Sequence, residues 1–428
     1  MEVKIFGCRF NKYYAQKWLN TLWNKENSIL VASCAVTDNA KRKFIKEVKQ
    51  QIKKWKKVYL TGCWAFSKNG EIDYAWFYTA YPSLLEYKEN IILLPENPEN
   101  RIIGLEQDHR IKTGLKQKVG RSSEEGPEEV RREKKLEFSN NSQTFSNKSL
   151  YTKGFVIVQL GCDSFCSFCI TVKKRWNHKN KDVNDIINEI KELEKKWIKE
   201  VVLTWINLAA WWMPNTNTYP NPHFPKYLQK ILDKTTIPRI RISSIWPEFV
   251  DDSWFEVLEN DRILPYFHLS IQSWSNKILK LMWRHYTKEH IENIITKLKN
   301  LKKSVPVNIG ADIIVGFPQE TEEDFQQTLE LCEKYISKLH VFPFSSHQLG
   351  DTVPASKLDW QIDLKTKKER EAKLIKVCDK NYKKLIEATK WKNVQVLIEQ
   401  HNSGWTENYL KFESKRSLNN GEIYNFTF

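Results

Sequence analysis

The stretch Gly161-Cys162-Asp163-Ser164-Phe165-Cys166-Ser167-Phe168-Cys169 carries three cysteines on one short segment, directly after an apolar run, Phe155 to Leu160, that predicts a β-strand. Thiolates are the usual ligands of iron–sulfur clusters. Three of them at this spacing can hold three irons of a [4Fe–4S] cluster and leave the fourth iron open. A structural zinc loop is the alternative, but zinc needs a fourth ligand, and no further Cys or His lies nearby with the usual spacing. We therefore predict that Cys162, Cys166 and Cys169 bind an iron–sulfur cluster.

The chain around and after this loop alternates strand and helix patterns. Helical periodicity is clear, for example, from Val183 to Trp197 and from Glu289 to Leu301. The six strand candidates between which such helices lie are Phe155 to Leu160, Glu200 to Ile206, Arg239 to Ile245, Tyr266 to Ser273, Val307 to Gly316 and Lys338 to Phe344. Six β/α repeats predict a partial, open β/α barrel over residues 149–388 and an overall fold class of α/β.

The first hundred residues predict a separate parallel α/β sheet, which we assign to residues 1–106. Three strand candidates end at a cysteine: Val3 to Gly7 at Cys8, Ser28 to Ser33 at Cys34, and Lys57 to Gly62 at Cys63. The carboxyl ends of parallel strands share one edge of the sheet, where ligands bind. We therefore predict that these three cysteines form a second cluster site.

Two further segments differ in composition from both domains. Residues 107–148 are polar and charged and predict a flexible linker, because such a composition buries little apolar surface. Residues 389–428 predict a small β domain with strands Val394 to Ile398, Tyr409 to Glu413 and Glu422 to Phe428. The residues of this domain that suit an RNA-binding barrel are basic or aromatic: Lys411, Phe412, Lys415 and Arg416.

The formal net charge of +16 and the pI near 9.2 indicate a polyanionic partner, although a lysine-rich surface kept for solubility gives the same charge. From Lys41 to Lys57 there are nine basic residues and one acid, which predicts an amphipathic helix with a basic outer face. Lys53 and Lys54 are candidate phosphate contacts there, with an ordinary solvated face as the alternative.

Composition also argues about the compartment. No apolar run approaches the roughly 18 residues that a membrane span needs, and the strand-like start of the chain is unlike a signal peptide. We expect a cytoplasmic protein without a membrane partner. Eight cysteines there argue for metal ligands over disulfides; Cys332 and Cys378, which match no motif, are expected to be inert.

The cysteine loop resembles the signature of the radical S-adenosylmethionine (SAM) superfamily, a CxxxCxxC loop on the first strand of a partial barrel. The sequences around Cys8, Cys34 and Cys63 are similar to the N-terminal domain of the methylthiotransferases, and the terminal β domain is similar to their TRAM domain. This resemblance implies two [4Fe–4S] clusters, SAM as cofactor, tRNA as partner, and an electron donor such as flavodoxin or ferredoxin.

Two runs narrow the resemblance: Cys34-Ala35-Val36-Thr37-Asp38-Asn39-Ala40 and Leu339-His340-Val341-Phe342-Pro343-Phe344-Ser345. Both are similar to the branch that adds a methylthio group to C2 of N6-threonylcarbamoyladenosine beside the tRNA anticodon. In that family a SAM-derived radical removes the C2 hydrogen, and sulfur from the second cluster replaces it. The alternatives are another tRNA adenosine, a ribosomal-protein side chain or, in another class, a non-catalytic metal-bound RNA-binding protein.

The resemblance also implies a set of SAM-binding residues on strand ends that point into the barrel. Without the family, each of these segments is an ordinary buried strand with polar tips. The implied residues are Thr204, Trp205, Asn207, Ser243, Ser270, Gln272, Gly310, Asp312 and Phe344.

The chain has 17 tryptophans and only 14 glycines, whereas ordinary usage of about 7% would give about 30 glycines. Several tryptophans stand where turns favour glycine, at Trp176, Trp211–Trp212, Trp274 and Trp283, and Trp205, Trp274 and Trp283 replace glycines of the family. We hypothesise that the source organism reads a stop codon as glycine. The written sequence would then show tryptophan at these positions because the same codon was translated with a different genetic code. A genuinely tryptophan-rich protein is the alternative, and Trp55 suits it, since it shares a helical face with apolar residues.

Overall fold

The structure is a computed structural model that describes residues 1–5, 9–22, 25–33, 38–55, 57–63, 65, 72–95, 152–175, 177–204, 206–347 and 352–428. Cys8, Cys34, Trp205 and the predicted linker 107–148 lie outside the described residues. The domain limits proposed at residues 106 and 149 lie outside them as well.

The N-terminal residues form a parallel sheet of four strands in the order β1 (Glu2–Ile5), β2 (Ser28–Ser33), β3 (Lys57–Gly62) and β4 (Ile91–Leu93). Successive residues of β2 face different cores: Ile29 and Val31 pack in one apolar cluster, Leu30 and Ala32 in another. Burial on both faces explains the continuous apolar runs, as expected for a parallel sheet. The predicted strands at Ser28 and Lys57 are confirmed, and the first is confirmed as far as Ile5, since Phe6 and Gly7 lie outside the described residues. The strand β4 was not predicted because it is only three residues long.

The helices of this domain are α1 (Arg9–Leu22), α2 (Asp38–Ile52) and α3 (Tyr74–Ala80), with a 3₁₀ helix at Pro82–Asn90. The predicted basic helix is shorter than expected. It ends at Ile52, because Lys57 already pairs with Ser28 as the first residue of β3. Its basic face is also smaller, since Lys41 is buried with its ammonium 4.6 Å from the centre of the Tyr81 ring.

Six parallel strands form the predicted open barrel. They are β5 (Gly154–Ile157), β8 (Glu200–Thr204), β9 (Arg239–Ile242), β10 (Tyr266–Gln272), β11 (Asn308–Val315) and β12 (Lys338–Pro343). Hydrogen bonds from the Ile245 N–H to the His268 oxygen (2.7 Å) and from the Ser270 N–H to the Ile245 oxygen (2.9 Å) join the β5-β8-β9 and β10-β11-β12 sheets. The cysteine loop lies between the two strands of a short antiparallel ribbon, β6 (Gln159–Leu160) before it and β7 (Lys179–Asn180) after it.

Helices cover the barrel with their apolar faces, and several of them begin at a capping polar residue. In α5 (Val183–Lys195), Asp182 caps the first turn by accepting the Asn184 N–H, and Val183, Ile186 and Ile190 are buried. The helices of this part of the chain are α4 (Thr171–Lys174), α5 (Val183–Lys195), α6 (His223–Lys234), α7 (Ser253–Leu258), α8 (Asn276–Leu281), α9 (Lys288–Lys299), α10 (Glu322–Tyr335) and α11 (Leu364–Thr389). In the described part of the chain, none of the helices has the length and apolar character that crossing a bilayer requires.

The chain ends in an antiparallel sheet with the order β15 (Lys411–Glu413), β14 (Ser403–Thr406), β13 (Asn393–Gln400) and β16 (Ile423–Thr427). The strand β14, with sequence Ser-Gly-Trp-Thr, was not predicted, because a glycine-containing run of four residues gives little strand signal. The predicted strand at Tyr409 begins instead at Lys411.

A buried charged cluster joins this terminal sheet to the barrel. Glu200 accepts from Arg239 Nε (2.9 Å) and Arg241 Nε (3.0 Å), and all three side chains are almost fully buried. The two arginines also donate to backbone oxygens of Gln395 and Glu407 in the terminal domain. Because Glu200 and Arg239 are the first residues of their strands, the terminal sheet lies at the amino ends of the barrel strands.

Trp23, Trp64, Trp176 and Trp205 lie outside the described residues, and the other tryptophans include two structural classes. Among the described residues, five have positive φ, a region in which bulky side chains are genuine outliers: Trp197 (60°), Trp212 (72°), Trp283 (61°), Trp360 (56°) and Trp391 (65°). Trp197 and Trp283 each end a helix in a Schellman motif, with their N–H bonded to Glu194 and Lys280 oxygens respectively. This is the position where glycine usually ends helices.

Other tryptophans behave as true aromatic core residues. Trp18, Trp211 and Trp254 are fully buried, and each indole N–H donates to a backbone oxygen at 3.0–3.1 Å. The backbone at Trp211 therefore has no need of glycine (φ −57°), whereas its neighbour Trp212 has the positive φ that favours glycine (72°). Cys332 is buried beside Cys378, and this contact together with burial raises the pKa of the Cys332 thiol.

Candidate active site

The cysteine loop is fixed by hydrogen bonds from distant parts of the barrel. The Asp163 carboxylate accepts both the N–H (2.8 Å) and the hydroxyl of Thr216, and Ser164 donates back to the Thr216 oxygen at 3.0 Å. Ser167 donates to the Leu281 oxygen at 2.7 Å. These hydrogen bonds fix the shape of the loop.

The three cysteines of the loop are close enough for their thiols to interact electrostatically. Cys162 and Cys166 are buried, and Cys169 is half-buried. Burial, together with the neighbouring Cys166 and Cys169 thiols, raises the pKa of Cys162 to about 12; burial likewise raises the pKa of Cys166 to about 11. Cysteines in this state are protonated at neutral pH and lose their protons when a metal binds. Two buried thiols and a half-buried one that interact electrostatically are a donor set that fits an iron–sulfur cluster.

A buried arginine stands beside this trio. Arg284 Nη1 lies 3.5 Å from the Cys166 sulfur, and its Nη2 donates to Glu248 (3.3 Å) and to the Ser270 oxygen (3.1 Å). Its guanidinium also lies 4.1 Å from the centre of the Trp246 ring. Sequence reasoning missed Arg284 and Glu248, because a lone arginine or glutamate outside a motif carries no distinctive signal.

Two predicted SAM-binding residues have unpaired polar atoms. Among the described residues, neither amide atom of the Asn207 side chain nor the Ser243 hydroxyl has a hydrogen-bond partner, although both residues are buried. They follow the carboxyl ends of β8 and β9, near Thr204, which is also buried. Leaving a buried polar group unpaired costs about 1–3 kcal/mol. These atoms fit a polar ligand inside the barrel.

The structure brings other predicted SAM contacts into a network of protein groups. Asp312 accepts from His268 (2.8 Å), His340 (3.2 Å) and Ser270 (3.3 Å). Although burial acts to raise it, the two histidines hold the pKa of Asp312 well below its usual range. A Cβ atom on Gly310 would meet the Tyr266 hydroxyl and the His268 ring, so protein atoms fill its open side. Sequence reasoning missed the role of both histidines.

The remaining predicted SAM contacts are in different surroundings. Gln272 has a φ of 69° at an irregular point of β10, and its side chain is nearly buried. Phe344 packs against Phe317, with ring centres 5.3 Å apart, in an apolar cluster that also contains residues of the N-terminal sheet. Contact of either residue with SAM stays a prediction.

At the second predicted site the structure describes Cys63. It is buried, it follows Gly62 (φ 94°), and its N–H donates to the Ser33 oxygen at 3.1 Å. Ser33 and Gly62 are paired in the sheet, so the residues that precede Cys34 and Cys63 lie side by side. Arg175 Nη2 from the barrel domain donates to the Cys63 sulfur at 2.8 Å. Cys8 and Cys34 themselves lie outside the described residues.

The predicted RNA-contact residues are exposed and lie on two domains. Lys53 and Lys54 occupy the turn after α2, whereas Lys415 and Arg416 follow β15. Lys411 forms an ion pair with Glu413. Their contact with RNA stays a prediction.

Comparison with known proteins places this geometry in a family. Residues 156–332 match the model of the radical SAM superfamily. The chain is 30% identical over 427 residues to a threonylcarbamoyladenosine tRNA methylthiotransferase MtaB of Aquifex aeolicus, covering 95% of this chain and 94% of that protein. The protein of the same name from Rickettsia prowazekii is 29% identical over 439 residues, covering 99% of this chain and 93% of that protein.

Another branch is similar over a shorter stretch. The tRNA-2-methylthio-N(6)-dimethylallyladenosine synthase of Clostridium tetani is 35% identical over 254 residues, covering 58% of this chain and 53% of that protein. The near full-length similarity is thus to the first group, and the chain belongs to the radical SAM methylthiotransferases, in their MtaB-type branch.

Proposed function

We propose that this protein adds a methylthio group to C2 of N6-threonylcarbamoyladenosine next to the anticodon of tRNA. The observation that carries the proposal is the group of three interacting thiols, Cys162, Cys166 and Cys169, on the loop that follows the first barrel strand. When bound, a [4Fe–4S] cluster there supplies the electron that cleaves SAM to a radical, and a second cluster at Cys8, Cys34 and Cys63 supplies the sulfur.

The residues of the chain prepare the barrel for this chemistry. Asn207 and Ser243 offer buried donors and acceptors that can orient the polar groups of SAM. Arg284 offers a positive charge beside Cys166, which favours the deprotonated sulfur that metal binding requires. The buried surroundings exclude water, which protects a radical from side reactions. The target base must leave the anticodon stack, which a single-stranded loop permits at low cost.

The first experiment separates the two cysteine trios. Cys166→Ala should abolish SAM cleavage in anaerobically reconstituted protein, because the first cluster loses a ligand. Cys34→Ala and Cys63→Ala should keep SAM cleavage and lose methylthio transfer. Formation of thiomethylated tRNA by either of the latter variants would disprove the role given to the second trio.

Nucleoside analysis of tRNA from a deletion strain identifies the substrate. Loss of the 2-methylthio form of N6-threonylcarbamoyladenosine supports the proposal. Loss of the 2-methylthio form of the dimethylallyl nucleoside would instead assign the activity of the relatives from the other branch. Unchanged tRNA with an unmodified ribosomal protein would assign a protein substrate. A colourless zinc protein after anaerobic purification would favour the non-catalytic RNA-binding alternative.

We also propose that flavodoxin or ferredoxin reduces the first cluster and that the exposed basic residues hold tRNA phosphates. Removing a cation that contacts a phosphate lowers the slope of log affinity against log salt concentration by about one unit. Lys415→Ala and Arg416→Ala should each reduce the slope of log affinity against log salt. An unchanged slope in both would exclude Lys415 and Arg416 from the tRNA contact.

A further inference from the structure

Arg175 links the two predicted cluster sites. Its Nη2 lies 2.8 Å from the sulfur of Cys63, although the two residues are 112 positions apart in the chain. Arg175 follows α4, six residues after Cys169, so it belongs to the segment that carries the first cysteine trio. One short stretch of the barrel domain therefore contributes to both sites.

The position of Arg175 is fixed by the packing of α4. Ile170 lies in the apolar cluster shared with β2 and β3 of the N-terminal sheet, and the Lys174 ammonium lies 4.0 Å from the centre of the Trp76 ring. The Arg175 N–H donates to the Thr171 oxygen at 2.9 Å. The guanidinium is thus held at Cys63 by contacts on both sides of α4, and only 2% of the residue is exposed.

Burial of a guanidinium is costly unless a negative charge compensates it. A Cys63 sulfur that is a thiolate or a metal ligand adds negative charge beside the guanidinium. A hydrogen bond with a charged partner is also stronger than a neutral one. The hydrogen bond from Arg175 is therefore stronger to a Cys63 that ligates a cluster than to a neutral thiol.

The first site has the same arrangement. Arg284, also buried, lies 3.5 Å from the sulfur of Cys166. Each of the two predicted sites thus has a cysteine sulfur in contact with a buried arginine. Hydrogen bonds to cluster sulfurs and nearby charge are among the factors that set the reduction potential of an iron–sulfur cluster.

We infer that Arg175 is a positioning residue for the second cluster: it donates to the Cys63 sulfur and raises the reduction potential of that cluster alone. This inference rests on the proposed function, because it takes Cys63 as a ligand of the second cluster. It adds that the barrel domain controls the electronic state of the cluster from which sulfur leaves.

The test uses full-length protein with both clusters reconstituted, and potentials measured by titration with electron paramagnetic resonance. The response of its spectrum to SAM identifies the first cluster. In Arg175→Gln the second cluster should be about tenfold harder to reduce at a given potential, a shift of about 59 mV for one electron. Arg175→Lys, which keeps the charge, should lie between the variant and the wild type.

Lys173→Gln is the matched control. Lys173 lies in α4, two residues before Arg175, and donates to the Thr352 oxygen at 2.8 Å. Its replacement removes a charge from this segment without a change at the sulfur of Cys63 or Cys166. Both potentials should stay at wild-type values in this control.

Three outcomes would overturn the inference: an unchanged second potential in Arg175→Gln, an equal shift of both clusters, or the same shift in Lys173→Gln. If Arg175→Gln retains only the first cluster and still cleaves SAM, and Arg175→Lys holds both, the positioning role is supported. Loss of both clusters in both variants would show a general folding role instead. A wild-type protein without a second cluster would refute the proposed function, whereas unchanged potentials refute only this inference.

Discussion

Arg284 and Glu248 form an ion pair of 3.3 Å in which both side chains are almost fully buried, directly beside Cys166. Burial raises the pKa of Glu248, although Arg284 opposes that shift. The pair therefore holds a positive charge at the cysteine loop while keeping the interior near neutrality.

Arg284→Met should lower the free energy of unfolding of the apo protein by about 3–5 kcal/mol, because it leaves the Glu248 carboxyl buried without its partner. The double variant Arg284→Met/Glu248→Gln should recover part of that loss, since neither charge then remains. Urea denaturation of the wild type, Arg284→Met, Glu248→Gln and the double variant gives the coupling free energy between the two side chains. A double variant no more stable than Arg284→Met would show that the pair does not compensate buried charge.

Asn207→Leu should stabilise the apo protein by about 1–3 kcal/mol, because it replaces two unpaired buried polar atoms with apolar ones. The same variant should lose SAM binding in calorimetry, since those atoms are proposed to hold the cofactor. Asn221 is the matched control: it is equally buried, but its amide donates to the Ala209 and Trp211 oxygens, so Asn221→Leu should destabilise the protein. A destabilised Asn207→Leu that still binds SAM would contradict the assignment.

Glu200 should make stability depend on acid. Although burial acts to raise it, Arg241 and Arg239 hold the pKa of Glu200 well below its ordinary value of 4.5. A lowered pKa in the folded state contributes stability above 4.5, and this contribution declines as the pH falls below that value. Glu200→Gln should cost about 3–5 kcal/mol at pH 7, because two buried arginines lose their anion.

The difference between wild type and Glu200→Gln should therefore narrow as the pH falls from 6 to 3, as measured by urea denaturation at each pH. Glu192, which is exposed and pairs with Lys195, is the control. Glu192→Gln should change stability little at every pH. A constant difference for Glu200→Gln across this range would contradict the linkage.

The recoding hypothesis predicts which tryptophans are glycine in the native protein. Peptide mass spectrometry of protein from the source organism should find glycine at Trp197 and Trp283, which have positive φ at helix ends, and tryptophan at the fully buried Trp254. Tryptophan at both helix ends would refute the hypothesis.

The same positions predict stability in a recombinant protein that carries the printed sequence. Trp197→Gly should stabilise it by about 1–2 kcal/mol, because glycine adopts the left-handed conformation without the penalty of a side chain. Trp254→Gly should destabilise it by about 3–5 kcal/mol, because Trp254 stacks on Phe224 with ring centres 4.0 Å apart. Destabilisation by Trp197→Gly would show that this indole has a structural role.

The sequence by itself determined the fold class and the first cysteine trio. Continuous apolar runs such as β2 predict parallel strands buried on both faces, and the spacing of Cys162, Cys166 and Cys169 places three thiols on one loop whatever the rest of the chain does. The sequence determined the ends of elements less well. The helix after Cys34 was expected to reach Lys57 but ends at Ile52, because the pairing of β3 with β2, and not helical periodicity, sets where β3 begins.

Only the tertiary structure decided which charges serve the cysteines and which predicted ligands remain open. Arg284 reaches Cys166 across 118 positions and Arg175 reaches Cys63 across 112. The Asp312 carboxylate accepts hydrogen bonds from two histidines, whereas the amide of Asn207 has no hydrogen-bond partner among the described residues. The reason is physical: a local pattern reports how a backbone repeats, but a buried charge or amide is satisfied by whichever strand ends and loops meet it, and that depends on the packing of the whole chain.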